Sequence, residues 1–386
     1  MRAAGRAGAG EAMTAPPGDG AAAAADDQVL AAFGSYRASR ADFLARAGAL
    51  GARLHAYRHP RLPELGTDVA VLGPRDPECV LLVVSGTHGV EGHAGSAIQR
   101  RQLPELATAG CGVVLVHALN PYGFEHDRRV NEDNVDVNRN FQPFPDVPDN
   151  PDYRLVHRLL VPADWEGPAH RQAQHELLGS VSELGLERIQ TAVTRGQHEF
   201  ADGLFFGGTA PTWSNRTLRR IVREHVAGAR QVAYVDLHTG LGERAAGETI
   251  FRGGDDAGAF ARAVAWYGPQ VTSSEAGTSS STPIGGNTAR GVLGELPPGT
   301  VVTAITLEFG TREGIVVLAA LQGDNWFAQA GGRADPRYAR VRQAMLDAFA
   351  PDDDGWRRQV LRRGTEVLRQ ARAGLRAGLD AAAGAD

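Results

Sequence analysis

The sequence is poor in the features that mark several large classes of protein. It has two cysteines in 386 residues, Cys79 and Cys111, too few for a disulfide framework or a cysteine-rich zinc site. Each flanks a strand-like apolar run, so both read as buried thiols. No apolar run exceeds about eight residues, well short of a bilayer span. Basic charge is not in excess: the formal net charge is -5 and the isoelectric point is near 6.2. That removes any general pull toward nucleic acid or an anionic membrane. The serine-nucleophile elbow GxSxG is absent, since Ser85 sits in Val-Val-Ser-Gly-Thr, which argues against a serine hydrolase. Residues 1–27 are Ala/Gly-rich, lack a continuous apolar stretch and end in Asp26-Asp27. They do not read as a secretory signal, and they carry too little bulky apolar surface to offset ordering entropy. A cytoplasmic protein with a disordered leader is expected, with Met13 an alternative start.

The remainder is ordinary for a globular chain, 42% hydrophobic and 22% charged. From residue 28 to 350, short β-branched runs alternate with helical stretches, which favours an α/β layer fold. Residues 351–386 form a separate Arg/Ala-rich stretch, in which Leu361, Leu368, Ala371, Leu375 and Leu379 recur at helical spacing. Its arginines read as a solvated face.

Five segments place the chemistry. Val80–Val84 reads as a strand buried on both faces, ending in Ser85-Gly86-Thr87-His88-Gly89; a helix is expected from Ala94 to Leu103, stopped by Pro104. Val113–Val116 reads as a second strand, closed by a turn at Asn120–Gly123. Val232–Leu237 delivers His238 at its carboxyl end, and Val301–Leu307 leads into Glu308. Glu313–Phe327 is too long for a strand and reads as a helix. Polar residues thus emerge where buried strands stop, the usual ligand position in open α/β sheets. The glycine- and aromatic-rich stretch 196–216 reads as a long loop over the site.

His88-Gly-Val-Glu91 offers an imidazole and a carboxylate three residues apart on a tight turn. Zinc accepts that N/O mixture, and a catalytic site needs a third protein ligand and an open position. His238 is the natural third ligand. A second motif, Arg128-Arg129 followed by Asp136-Val-Asn138-Arg139-Asn140-Phe141, reads on its own as a charged loop containing DxNR.

Taken in order, HxxE after the first buried strand, RR…DxNRxF, a distant strand-end His and a later strand-end Glu resemble the M14 metallocarboxypeptidases. The same order occurs in their aspartoacylase and succinylglutamate desuccinylase relatives, and the wording is most similar to the DUF2817 branch. The resemblance spans residues 65–330. It implies a single-domain α/β fold with a mixed, mostly parallel sheet flanked by helices. It further implies one Zn2+ held by His88, Glu91 and His238, with Asp136 fixing the tautomer of His88. Arg129 would stabilise an oxyanion, Asn138 and Arg139 would grip a substrate carboxylate, and Glu308 would be the general base.

His93 reads as a capping or packing residue of the following helix, and His117 and His126 flank the second strand. Asp236 shares a strand face with His238 and could orient it. Tyr267 is the only tyrosine between His238 and Glu308, yet reads equally well as a packed aromatic. Ser279–Asn287 shapes a pocket or serves as a turn-rich connection. The expected function is hydrolysis of an amide bond beside a free carboxylate, in a peptide or in an N-acyl amino acid. A binding protein that kept the fold without catalysis is the rival, and no nucleic acid or membrane partner is expected.

Overall fold

The computed structural model describes residues 33–383, except 109 and 333; the leader at 1–27 and Met13 lie outside them. Among the described residues one eight-stranded sheet runs in the order β1-β2-β4-β3-β5-β8-β6-β7. The strands are β1 Arg53–Arg58, β2 Gly66–Leu72, β3 Cys79–Val84, β4 Gly112–His117, β5 Gln231–Arg244, β6 Glu248–Phe251, β7 Thr272–Ser273 and β8 Val301–Gly310. The four inner strands, β4-β3-β5-β8, pair in parallel, as do β6 and β7; the remaining pairings are antiparallel. This is the mixed, mostly parallel sheet expected from the sequence. Every residue of β3 and β4 is buried, because both faces of the inner strands are covered.

Helices α1 Tyr36–Ala49, α2 Gly92–Leu106, α8 Ala257–Tyr267 and α12 Asp354–Ala383 cover one face. There Leu81, Val83, Leu237, Ile305 and Leu307 pack against Trp356, Val360, Leu368 and Leu375. The C-terminal stretch is thus a 30-residue helix whose apolar side is part of the main core. On the other face, α7 Trp213–His225 and α9 Thr288–Leu293 bury Leu218, Ile221, Val222, Ala289 and Val292 against Leu82, Val84, Val232 and Tyr234. A third cluster unites α4 Pro151–Leu160, α5 Pro168–Leu184, α6 Leu186–Thr194, α10 Gly314–Trp326 and α11 Tyr338–Phe349 with Val90 and Phe205. Both cysteines are free and buried. No helix among the described residues is long and apolar enough to cross a membrane.

Three expectations need correction. Helix α2 starts at Gly92 and carries Pro104 inside it. Proline removes only one backbone bond so near a helix end, and burial of Leu103 and Leu106 holds the last turn in place. The turn after β4 is a one-turn helix, α3 Pro121–Glu125, whose N-cap Asn120 accepts from the Gly123 N–H at 3.0 Å. Neither His238 nor Glu308 ends its strand: β5 runs on to Arg244 and β8 to Gly310, paired as far as a bulge between Gly240 and Arg244. Glycines 240 and 242 gave the sequence a false stop, because cross-strand pairing overrides weak local propensity.

Candidate metal centre

The His88–Glu91 turn leaves β3 at its carboxyl end, and Gly89 makes it possible by close approach. A Cβ at Gly89 would fall 1.9–2.2 Å from backbone atoms of Gly123 and Phe124. The N–H groups of Gly89 and Val90 donate to the carbonyls of Arg129 and Arg128, at 3.1 and 2.9 Å. The two motifs of the sequence are thereby stitched together along their backbones.

On the sheet, His238 of β5 is paired in register with Glu308 of β8, and Asp236 with Thr306. Successive side chains alternate between faces, so these four project to one side. There the first motif meets His238. His88 Nδ1 lies 2.8 Å from Glu91 Oε1, His238 Nδ1 lies 2.9 Å from Glu91 Oε2, and the two Nδ1 atoms are 3.2 Å apart. One ligand atom from each residue lies within 4.8 Å of the others. All three residues are buried, at 1–3% exposure.

The far nitrogen of each imidazole faces a carboxylate. His88 Nε2 is 3.1 Å from Asp136 Oδ1. His238 Nε2 is 2.9 Å from Asp236 Oδ2, close but poorly aligned for a hydrogen bond. A carboxylate at Nε2 favours the proton there, which leaves both Nδ1 lone pairs and the Glu91 oxygens facing one another. Electron-pair donors gathered in a dry pocket repel unless a proton or a metal cation lies among them. Ligands of a tetrahedral zinc, with bonds of about 2.0–2.1 Å, sit about 3.3 Å apart, close to the spacing found here. The donor set fits one N/N/O-bound divalent ion. Burial would raise the Glu91 carboxyl, but the two histidines hold it well below its usual range. Burial likewise opposes charge on His238, yet Asp236 and Glu91 push it well above its ordinary value, so the site holds a proton where a metal cation would take its place.

Glu308 is 9% exposed and accepts from the Leu241 N–H at 3.1 Å. Burial pushes its carboxyl up to about 7, with the like charge of Glu91 adding to the effect. A carboxyl poised near neutrality can take and return a proton.

Asp136 caps a 3-10 turn at Val137–Arg139 and accepts from the Asn138 N–H at 2.9 Å. Its other oxygen accepts from Arg129 Nε at 3.0 Å, while Arg129 Nη1 reaches Glu91 at 3.2 Å. Asn138 Oδ1 accepts from the Thr288 N–H at 3.0 Å. Arg139 is more constrained than a free carboxylate clamp. Its Nε and Nη2 donate to the Thr194 carbonyl at 2.9 and 2.5 Å, and Nη1 to the Asn138 carbonyl at 3.2 Å. Three of its five donors are committed to backbone, and burial pulls its pKa to about 10. The structure therefore brings every expected site residue to one region, with Arg139 reached only at its outer edge.

The 196–216 stretch borders this region as an irregular segment until α7 begins at Trp213. Its Phe205 ring lies under both arginines, 5.2 Å from the Arg129 guanidinium and 5.5 Å from that of Arg139. Phe205 adopts φ +53°, a left-handed conformation costly for an aromatic residue. Outside, a cleft of about 580 Å³ is lined by Gln142, Gly196, Glu275 and Gly285, and Gly196 lies against the Arg139 side chain.

Some site residues were not legible in the sequence. Thr87 and Thr288 hold Asp236 through their hydroxyls at 2.9 and 2.6 Å; lone threonines carry no spacing signal. Asp236 itself stands where its strand face placed it. The remaining candidates do not reach the triad. His93 bonds Asp127 at 2.7 Å. His117 bonds Ser96 at 2.8 Å and stacks on Phe43, and His126 packs on Tyr122. Tyr267 is a packed aromatic in the core on the opposite face of the sheet.

No curated protein sequence matches the chain. Among solved structures, carboxypeptidase A from Helicoverpa armigera aligns at 12% identity over 88% of this chain and 79% of that one, with a TM-score of 0.46. Thrombin activatable fibrinolysis inhibitor aligns at 11% identity over 83% and 74%, with a TM-score of 0.44. Succinylglutamate desuccinylase from Chromobacterium violaceum aligns at 16% identity over 81% and 74%, with a TM-score of 0.34. A family model described as "Protein of unknown function (DUF2817)" matches residues 33–363. That match takes in both motifs, His238, Glu308 and all eight strands, and the chain belongs to the DUF2817 family.

Proposed function

We propose that the protein is a zinc-dependent hydrolase of an amide bond beside a free carboxylate. The observation that carries this reading is the meeting of two Nδ1 atoms and the Glu91 carboxylate, 2.8–3.2 Å apart, beside Glu308. His88, Glu91 and His238 would hold the zinc, which would supply Lewis acidity and lower the pKa of water toward about 7. Glu308 takes the proton of the attacking water and returns it to the leaving nitrogen. A pKa pushed up to about 7 makes it a stronger base than an ordinary carboxylate, yet leaves its protonated form acidic enough to give that proton back. Arg129, fixed by Asp136 and Glu91, presents its remaining donors to the oxyanion that develops on the carbonyl. Asn138 and the outer edge of Arg139 hold the substrate carboxylate, a planar acceptor that matches a guanidinium fork. Asp136 and Asp236 face the far ring nitrogens of His88 and His238 and so would aim the other nitrogen of each imidazole at the metal.

Enclosure favours a small N-acyl amino acid over a long peptide. Phe205 packs against both arginines, and the side chains of His88, Glu91 and His238 are almost wholly buried. The test is metal content together with turnover of N-acyl amino acids and short peptides side by side. The expected result is one zinc per chain, hydrolysis abolished by chelation, and a fall of roughly 10²–10⁴ in kcat for Glu308→Gln. Protein that binds no metal, or a Glu308→Gln variant as active as the parent, would remove the hydrolase reading and leave a binding protein.

A further inference from the structure

Buried arginines in this chain keep a carboxylate beside them. Arg100 pairs with Asp42, and Arg128 with Asp324, each at 2.9 Å; Arg139 has Asp136 at 4.0 Å. Arg252 is as buried, at 7% exposure, and is held by neutral groups. Its Nε donates to Thr306 Oγ1 at 3.1 Å, Nη1 to Ser274 Oγ at 2.9 Å and Nη2 to Ser281 Oγ at 3.4 Å. Among the described residues no carboxylate forms an ion pair with it. The acids that act on it from longer range, Glu275, Glu308, Asp236 and Glu248, have partners of their own. Glu248 holds Thr272 and Ser280, Asp236 holds Thr87 and Thr288, Glu308 accepts from Leu241, and Glu275 from Ser273.

Its position is as telling as its partners. Glu248 and Ile250 of β6 oppose Glu308 and Thr306 of β8, and the Arg252 N–H donates to the Ala304 carbonyl. Period-two alternation puts the Arg252 side chain on the face that carries Glu308, Thr306, Asp236 and His238. The Ser279–Asn287 segment then connects it to the second arginine. Ser281 contacts Arg252, while Thr282 Oγ1 lies 2.7 Å from Thr194 Oγ1, and the Thr194 carbonyl holds Arg139. Two buried guanidinium groups thus share one wall. Hydroxyls can rotate from accepting to donating, so the three that hold Arg252 can also join it around an anion.

We infer that Arg252 determines specificity by binding a second carboxylate, so that the substrate is the amide of an acidic amino acid such as aspartate or glutamate. The α-carboxylate would lie at Asn138 and Arg139 and the side-chain carboxylate at Arg252. The bond cleaved rests on the hydrolase reading above; the recognition does not.

The test is calorimetric binding of L-glutamate against L-glutamine, and L-aspartate against L-asparagine, to the zinc-loaded full chain. Hydrolysis of the matching N-acetyl amino acids is measured in parallel. Glutamate and glutamine differ in charge but hardly in shape, so their ratio isolates the second carboxylate. The wild type is expected to prefer at least one acid over its amide by roughly 30-fold, the usual worth of a hydrogen bond to a charged group. Arg252→Gln brings that ratio close to one, and Arg252→Lys restores part of it because the charge returns without the fork. A wild type without acid preference overturns the inference, as does an Arg252→Gln variant that keeps it. If Arg252→Gln fails to fold, Arg252→Lys decides: an unchanged ratio overturns the proposal, a several-fold loss supports it. An Arg252-dependent preference for acids in a protein that hydrolyses nothing leaves the inference standing and removes the hydrolase reading. Hydrolysis of amides of neutral and acidic amino acids alike does the reverse.

Discussion

Asp136 shows how one side chain can set several others. It receives His88 on one oxygen, Arg129 on the other, and the Asn138 N–H as well. Although burial opposes its charge, Arg129 and His88 hold its carboxyl well below the usual range. Asp136→Asn preserves the shape but removes the charge that keeps the proton on His88 Nε2. Zinc affinity is expected to fall about 10- to 100-fold, read by competition with a chelator; an unchanged affinity would contradict the assigned role. His117 makes a different prediction. Burial lowers its pKa to about 3, with Arg100 and Arg40 adding to the effect. The unfolded chain takes up a proton there near pH 6.5 and the folded chain only near 3. Between those values the unfolded state binds more protons, so stability falls as pH drops. His117→Gln should flatten the melting temperature between pH 6.5 and 3 relative to the parent. Parallel profiles would show that His117 contributes nothing to the acid limb.

At the scale of elements, the HxxE turn works only because another element passes directly against it. Gly89 abuts the backbone of α3, and the Arg128-Arg129 carbonyls accept from the turn. Gly89→Ala drives a methyl into Gly123, which cannot yield without moving α3. The expected cost is on the order of 3 kcal/mol in chemical denaturation, together with less bound zinc, because His88 and Glu91 move apart. A variant with parental stability and full zinc would show that the turn tolerates displacement. Strand β5 carries the complementary lesson. Its register with β8, not its own composition, extends it past His238 and sets His238 opposite Glu308. This is why an expected strand end is a strand interior.

For the whole molecule, the sheet is clamped between two apolar layers, and the C-terminal helix α12 supplies much of one. Leu375 is fully buried among Leu361, Leu368, Val367 and the strands. Leu375→Ala should cost about 2–5 kcal/mol of stability, measured by equilibrium unfolding. Metal content should match that of the parent, since α12 covers the face opposite His238. Loss of metal along with stability would mean that the two faces are less independent than their packing implies. The arginine-rich side of α12 also makes specific contacts: Arg369 chelates Glu105 at 2.7 and 2.9 Å, and Arg363 donates to the Gly247 carbonyl and Thr249.

The α/β class, the buried strands β3 and β4 and the local pieces of the candidate metal site can be read from the chain alone. Runs such as Val80–Val84, the HxxE turn and the DxNR capping turn depend on neighbours a few residues apart, so their spacing states their chemistry. Asp236 was within reach for the same reason, being two residues from His238 on one strand. Which distant groups share a volume emerges only on folding. The threonines that hold Asp236, the Phe205 platform, the partial capture of Arg139 by Thr194 and the neutral cage around Arg252 all join residues far apart in sequence. Such contacts follow from strand register and from loops that cross the sheet ends, and neither leaves a periodic trace in the chain.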